Sequence, residues 1–358
     1  MNVNVKRAII LASEVAPSKA PNPLFTYLYL EGTEDALVVR ASGEVDLEIR
    51  LPWYGEAFRP GLVPARALAQ LVQAAGETLL LRRGGAGLEV ASGAFQAQLT
   101  AAEPEGYPSF PEGLEPLASM PAATLRKALA QVRYAVSKED YRAIFRGVQL
   151  EFSERGFRTV ASDGYRMALF DHPIPQAATR TVVVPGWSVD QVLRALAAAE
   201  DDVALSWRPG FLGVETHAPW GVIRMAVRLM EGVFPNYERV IPKDFPLRAS
   251  LEVEPFREAL KRVSVLADKQ NHRVDLFLEE RRALLSAEGD YGKGQEEVSV
   301  VLEGAPMSLA YNIRYLLEAL APLSGQAELL FSGPTSPTVV RSAEEEGGYW
   351  AVVVPLRA

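Results

Sequence analysis

The side chains in this chain best placed to act on another molecule are bases rather than nucleophiles. Lys6, Arg7, Arg66, Arg126, Lys127, Arg133, Arg194, Lys261, Arg262, Lys269 and Arg314 recur along it, and the pairs Lys6-Arg7, Arg126-Lys127 and Lys261-Arg262 fall 120 and 135 residues apart. Groups of this kind hold phosphates, and phosphate contacts position a polyanion without reading its sequence. Covalent chemistry has little to draw on. The chain has no cysteine, which excludes disulfides, thiolate catalysis and cysteine-based metal sites. His172, His217 and His272 are isolated, with no i, i+4 ligand pair, so structural or surface roles are expected and no metal site. Gly84-Gly85-Ala86-Gly87 runs into another strand pattern instead of opening a helix, and reads as a hairpin turn rather than a phosphate cradle. Gly289-Asp290-Tyr291-Gly292-Lys293-Gly294 lacks P-loop spacing and also reads as a turn, Asp201-Asp202 ends a helical pattern with no partner motif, and no Gly-x-Ser-x-Gly occurs. No catalytic residue and no cofactor is expected.

The elements that carry the bases repeat. Val63-Pro64 leads into Leu68, Leu71, Val72 and Ala75; Val184-Pro185 into Val189, Val192, Leu193 and Leu196; Ser308-Leu309 into Ile313, Leu316, Leu317 and Leu320. Apolar residues at i, i+3, i+4 and i+7 form one stripe on a helix, and proline suits a helix start, where its missing N–H would be unpaired anyway. From Leu68 to Val189 and from Val189 to Ile313 the spacings are 121 and 124 residues. The basic pairs mark a second helix in each repeat; in the middle one Leu125, Leu129, Val132 and Val136 line the stripe, with Arg126, Lys127 and Arg133 off it. Tyr107-Pro108-Ser109-Phe110 is echoed by Phe234-Pro235-Asn236-Tyr237. A period above 100 residues implies duplicated domains, since solenoid units span only about 20–50.

Between the helices lie short β-rich runs: 28–30, 36–39, 47–51, 95–99, 181–184, 298–302 and 349–356, separated by turn clusters such as Glu154-Arg155-Gly156 and Glu344-Glu345-Glu346-Gly347-Gly348. The expected class is α+β, with antiparallel sheets and two helices per repeat on one face. Pro, Glu and Ser concentrate near 112–121 and 244–252, which gives domains at 1–116, 117–247 and 248–358. Hydrophobic residues make up 48% and charged residues 23%, with no run near the length of a membrane span and no signal peptide, so a cytoplasmic location is expected. Net charge is −8, which argues against a polyanion partner only if charge is evenly spread. It is not: acids cluster at 31–35, 200–202, 279–280 and 344–346, while the bases keep to the helices.

One stretch is specific. Asp140-Tyr141-Arg142-Ala143-Ile144-Phe145-Arg146-Gly147-Val148, followed by Arg158-Thr159-Val160-Ala161-Ser162-Asp163-Gly164-Tyr165-Arg166-Met167-Ala168, resembles the second domain of the bacterial DNA sliding clamp, the beta subunit of DNA polymerase III. Phe234-Pro235-Asn236-Tyr237-Glu238-Arg239-Val240-Ile241-Pro242 resembles that family's Phe-Pro-Asp-Tyr turn, and Tyr311 to Leu317 with Val353-Val354-Pro355-Leu356-Arg357 its third domain and tail. The resemblance implies three DNA-clamp domains, each with two inward-facing helices, in a head-to-tail dimeric ring around double-stranded DNA. The bases named above would line the bore. Such a ring slides without sequence specificity and tethers the replicative polymerase as a processivity factor in DNA replication and DNA repair, without being an enzyme.

The resemblance further implies that the clamp loader, polymerase and repair proteins dock a short hydrophobic peptide carrying Leu and an aromatic. Its cleft would fall on Arg142, Phe145, Ser162, Gly164, Tyr165, Arg166, Met167, Pro235, Arg239, Val240, Asn312, Tyr315, Val352, Val354, Pro355, Leu356, Arg357 and Ala358. Ser162, Tyr165, Met167 and Ala358 depart from the family's common Thr, His, Leu and large terminal aliphatic. In the helix beginning at Pro255, the stripe Phe256, Leu260, Val263 and Ala267 leaves Val265 and Leu266 off the core face. The family places these two at the homodimer interface, opposite Tyr107. The alternative is a multi-domain scaffold that binds proteins and not DNA; an enzyme on this framework would need a polar cluster that the chain lacks.

Overall fold

The computed structural model describes residues 2–76, 79–85, 87–175, 178–344 and 348–357. Their contacts form two compact units: Met1–Lys127 with Gln176–Glu231, and Ala128–Pro175 with Gly232–Ala358. The segment expected as a central domain contributes to both.

Six helices occur among the described residues: α1 (Asn2–Val15), α2 (Ala65–Ala74), α3 (Ala122–Val132), α4 (Gly186–Leu196), α5 (Val253–Ser264) and α6 (Ile313–Leu320). The apolar stripes are buried: Leu68 and Val72 on α2, Val189, Val192 and Leu196 on α4, Ile313, Leu316 and Leu320 on α6, and Phe256, Leu260 and Val263 on α5. No described helix is long and apolar enough to cross a membrane. The helix starts differ from expectation in a specific way. Pro64 and Pro185 are the capping residues and not the first helical ones, and Ser308-Leu309 belongs to a strand, so α6 is capped by Asn312, whose side chain accepts from the Arg314 N–H at 3.0 Å. Helix α5 ends at Ser264. Val265 is therefore its capping residue, Leu266 follows in the turn, and Ala267 is not on the stripe.

In the first unit the strands are β1 (Tyr27–Gly32), β2 (Ala36–Ala41), β3 (Val45–Pro52), β4 (Phe58–Pro64), β5 (Leu80–Gly84), β6 (Gly87–Ser92), β7 (Phe95–Thr100) and β8 (Glu115–Pro121), then, after β9 to β11, β12 (Arg180–Pro185), β13 (Asp202–Arg208), β14 (Phe211–Ala218) and β15 (Gly221–Arg228). An antiparallel sheet runs β4-β1-β2-β3-β15-β14-β13-β8, and β5-β6-β7 form a small meander. The second unit contains β9 (Gly147–Ser153), β10 (Gly156–Ser162), β11 (Arg166–His172), β16 (Leu247–Glu252), β17 (Arg273–Glu279), β18 (Arg282–Gly289), β19 (Gly292–Glu303), β20 (Met307–Asn312), β21 (Gln326–Phe331), β22 (Thr338–Ser342) and β23 (Tyr349–Val353). They pair antiparallel in the order β9-β10-β11-β23-β22-β21-β16-β19-β18-β17-β20. Strand β19 serves two ladders, Gly292–Ser299 with β18 and Val300–Glu303 with β16.

The chain departs from the sequence expectations at three further places. The boundary windows 112–121 and 244–252, expected between periodic segments, carry β8 and β16, which pair with β13 and with β19 and β21. The last strand stops at Val353, where Pro355 cannot continue the ladder. Asp201-Asp202 leads into β13, several residues after α4 ends at Leu196. The Gly289 to Gly294 turn is the β18–β19 hairpin, as expected; Ala86 and residues 345–347 of the other two turns lie outside the described residues.

In the second unit the helices are tied to the sheet by buried hydroxyls. The Tyr349 hydroxyl donates to the Ala319 carbonyl of α6 at 2.7 Å and so accepts from the Tyr134 hydroxyl at 2.6 Å, and burial raises the pKa of both phenols. The Thr159 hydroxyl on β10 donates to the Ala128 carbonyl of α3 at 2.9 Å. Replacing Tyr349 by Phe strands a buried carbonyl and a buried hydroxyl, which costs about 1–3 kcal/mol. A urea titration of Tyr349→Phe should show that loss; an unchanged midpoint would contradict the tie.

Candidate functional site

The bases named from sequence fall into two groups. Arg7 on α1, Arg66 on α2, Arg126 on α3 and Arg314 on α6 are exposed and form no ion pair with a described residue. Arg314 also acts on its surroundings: partial burial, and then this guanidinium, hold the His272 imidazole below its usual range. The second group is engaged within the protein. Lys6 donates to the Ala75 and Gly76 carbonyls at 2.5 and 2.6 Å, which places a cation at the C-terminus of α2, where the last carbonyls lack partners. Arg194 approaches Glu14 of α1 at 3.5 Å. Lys261 pairs with Glu258 one turn back at 2.6 Å, and Arg262 makes a two-pronged contact to Glu296 on β19 at 2.6 and 2.9 Å. These bonds lower the Glu258 and Glu296 pKa values and raise that of Arg262. Lys269 lies beyond α5, its ammonium 3.0 Å from the Tyr291 hydroxyl. Lys127 and Arg133 also have partners of their own. The contacts of Lys6, Arg194, Arg262 and Lys269 were not foreseen, because their acceptors are backbone carbonyls, a hydroxyl or acids on other elements; the Glu258–Lys261 pair, three residues apart on one helix, was visible in the spacing and was missed.

Several residues expected in the cleft line a cavity of about 260 Å³ in the second unit. Strand register builds its floor: Ser162 on β10 faces Met167 on β11, which faces Val352 on β23, and direct cross-strand partners share a face. The β10–β11 turn closes one end. Gly164 sits at φ +90°, where an L side chain is strained, while Ser162 Oγ accepts from the Gly164 N–H at 3.1 Å and donates to the Arg166 carbonyl at 2.9 Å. Phe145 and Phe234 meet edge to face at 5.6 Å and form a wall, with the Arg142 guanidinium 5.5 Å from the Phe145 ring. Tyr237 is fixed by donating to Glu151 at 2.7 Å and accepting from Arg158 at 3.0 Å. Pro235, Val240 and Val354 complete the expected lining.

Arg166 organises one end of this pocket. Only 7% exposed, it pairs with Asp163 at 3.1 Å and with Glu318, donates to the Tyr134 carbonyl at 3.0 Å, and lies 4.4 Å from the centre of the Tyr315 ring. Other expected members stand at or beyond the rim. Tyr165 and Arg239 are exposed, Asn312 caps α6, Pro355 is buried, Leu356 donates its N–H to the Ala310 carbonyl at 2.7 Å, and Arg357 is exposed. Ala358 lies outside the described residues. Phe234, Asn236, Tyr237 and Pro337 line the cavity and were missed. The Phe-Pro-x-Tyr turn was a visible signal for the first three. Pro337 had none, because it arrives only through the pairing of β22 with β23.

At the expected interface, Val265 is 74% exposed, whereas Leu266 is half-buried, its side chain 2.8 Å from where a Cβ on Gly294 would stand. Tyr107 is half-buried, its hydroxyl donating to the Tyr27 carbonyl at 3.1 Å and its ring stacked 6.2 Å from Tyr29. The sequence echo between its turn and Phe234-Pro235-Asn236-Tyr237 thus serves two different packings.

Residues 119–236 match the central domain of the DNA polymerase III beta subunit, and residues 238–357 its C-terminal domain. The chain belongs to that family, the bacterial beta sliding clamps. It is 27% identical to the beta sliding clamp of Caulobacter vibrioides over all of both chains, and 29% identical to that of Synechococcus elongatus over 93% of this chain and 92% of the relative. Among solved structures, a Pseudomonas aeruginosa sliding clamp bound to griselimycin superposes with a TM-score of 0.93 at 23% identity, and the Thermotoga maritima beta subunit with 0.92 at 24%; each comparison covers 100% of this chain and 98% of the other. The α+β class and the sliding-clamp family read from sequence therefore hold.

Removing the guanidinium of Arg166 takes the shared cation from Asp163 and Glu318; Glu318 is 42% exposed and Asp163 keeps the Tyr165 and Arg166 N–H bonds, so water and backbone offset part of the loss. Truncating a buried hydrogen-bonded group still costs about 1–3 kcal/mol. Arg166→Ala should lose stability on that scale in chemical denaturation; a loss below about 1 kcal/mol would mean the carboxylates are not held by it.

Proposed function

We propose that two copies of this sliding clamp close head to tail into a ring around double-stranded DNA and tether the replicative polymerase and repair proteins to it. The observation that carries the reading is the pattern of the helices: each buries an apolar stripe against a sheet, and Arg7, Arg66, Arg126 and Arg314 stand exposed and unpaired on the remaining faces. A few free cations spread over many helices attract phosphates weakly and without base contacts, which suits movement along the duplex. The bases in ion pairs contribute less, since their charge is offset locally. Acids elsewhere repel DNA at short range, within a Debye length of about 8–10 Å.

The domains divide near residues 116 and 247, the protein works in the cytoplasm, and it has no catalytic centre of its own. Val265 and Leu266 of one protomer meet Tyr107 of its partner, and two such contacts close the ring. Tyr107 is held stiffly by its hydroxyl bond, so the partner meets a preformed surface. The clamp loader and polymerases insert a short peptide bearing Leu and an aromatic into the cavity between Phe145, Met167, Val240 and Val352. Its apolar floor and rigid walls suit anchors of that kind.

Two variants test these parts separately. Val240 is exposed on the cavity rim, so Val240→Asp leaves the fold intact and should weaken a Leu- and aromatic-bearing peptide at least tenfold in fluorescence anisotropy; unchanged affinity places the docking site elsewhere. Val265→Asp, also at an exposed position, should sediment as a folded monomer at low micromolar concentration and fail to stay on circular DNA. A dimer at that concentration would show that the ring closes through another surface.

A further inference from the structure

Helix α4 carries a residue that the phosphate-binding reading does not use. Trp187, in its first turn, is 40% exposed, and its ring stacks on no aromatic or cationic side chain among the described residues. Part of this large apolar ring is covered by the fold, and the rest presents a flat face to water. It stands seven residues before Arg194, so at about 100° per residue both lie on the same side of the helix, where the Arg194 guanidinium is already engaged by Glu14 of α1. Asp190, between them, is half-buried and already partnered. Within the first unit α4 touches α1, and α1 touches α2. These neighbours carry Arg7 and Arg66, both exposed and unpaired. The indole therefore sits on a helical layer whose free side-chain charges include unpaired cations, as a polyanion requires.

Cations hold phosphates, and an exposed aromatic ring on the same layer of helices supplies what cations do not: a flat apolar face for an unstacked base. Bases inside a duplex are covered by their neighbours, whereas unpaired bases offer a π-face whatever their identity. The geometry points to Trp187 as a stacking residue for single-stranded DNA, giving this clamp a contact with unpaired nucleotides at a gap or a primer end. This rests on the reading that the clamp encircles DNA. It differs from the phosphate contacts in kind, since stacking releases no counterions and persists as salt rises.

The test uses the full-length dimer with an oligodeoxythymidylate and, separately, a blunt hairpin duplex as probes. The Trp187→Phe variant isolates the Trp187 fluorescence by difference while keeping a stacking face; Trp187→Leu keeps apolar bulk but removes the ring. The oligodeoxythymidylate should quench the Trp187 signal, and Trp187→Leu should lose about tenfold in affinity for it while Trp187→Phe loses little. That loss should persist as salt is raised, and retention on circular duplex should be the same in both variants and the wild type. No Trp187-dependent quenching by the oligonucleotide, equal quenching by the hairpin, or equal affinity of the Leu and Phe variants overturns the proposal. If the wild type does not stay on circular duplex at all, it is the encirclement reading that fails.

Discussion

Every helix in this protein must cover one face of an antiparallel sheet, and that single demand decides where charge can stand. A helix that buries Leu68 and Val72, or Phe256, Leu260 and Val263, has only its other faces left for charge. Bases excluded from the buried stripe collect there without further instruction. An acidic chain with a net charge of −8 can thereby carry surfaces suited to a polyanion. Not all of that charge is free. Arg262 is matched by Glu296 and Lys261 by Glu258, and exposed pairs of this sort add little to stability because water screens them. Their larger effect is to temper the positive potential of α5, and a weak potential is what a sliding contact needs.

The cleft depends on a different device. Its floor is a row of cross-strand partners whose positions are set by register, and its end is set by a buried guanidinium between two tyrosine rings and two carboxylates. A buried arginine is costly unless it is paired, and here its carboxylates come from the β10–β11 turn and from α6, with the Tyr134 carbonyl as a further acceptor. The end of the pocket is consequently tied to the fold of the second unit through Arg166. Under the proposed docking, a wall held in place in advance favours affinity from a small contact area.

Much of this was legible in the sequence because it depends on local periodicity. All six helices, the main strands and the hairpins at Glu154-Arg155 and Asp290-Tyr291 arise from 3.6- and 2-residue repeats and from turn residues. Element ends were harder. Ser308-Leu309 reads equally as the start of a helix, and Val265 as part of one, because apolar residues alone do not mark where the backbone changes. The site divides in the same way. Ser162, Met167, Pro235 and Val352 were named through resemblance to the family; the register then shows how Ser162, Met167 and Val352 meet, and Pro235 joins them in the cavity lining. Pro337 was invisible, as was the pairing of Arg262 with a residue 34 positions away, because both arise from tertiary contact. Trp187 was visible in the sequence as a residue but not as an exposed one.

The most direct test of encirclement is topological. Labelled protein assembled on a nicked circular plasmid is passed through a sizing column in high salt, before and after a single cut linearises the DNA. A closed ring held by topology stays with the circle at salt concentrations that abolish phosphate contacts, and leaves once the DNA has ends. Loss from the circle in high salt, or persistence on the linear molecule, would contradict encirclement and show a protein that merely adheres.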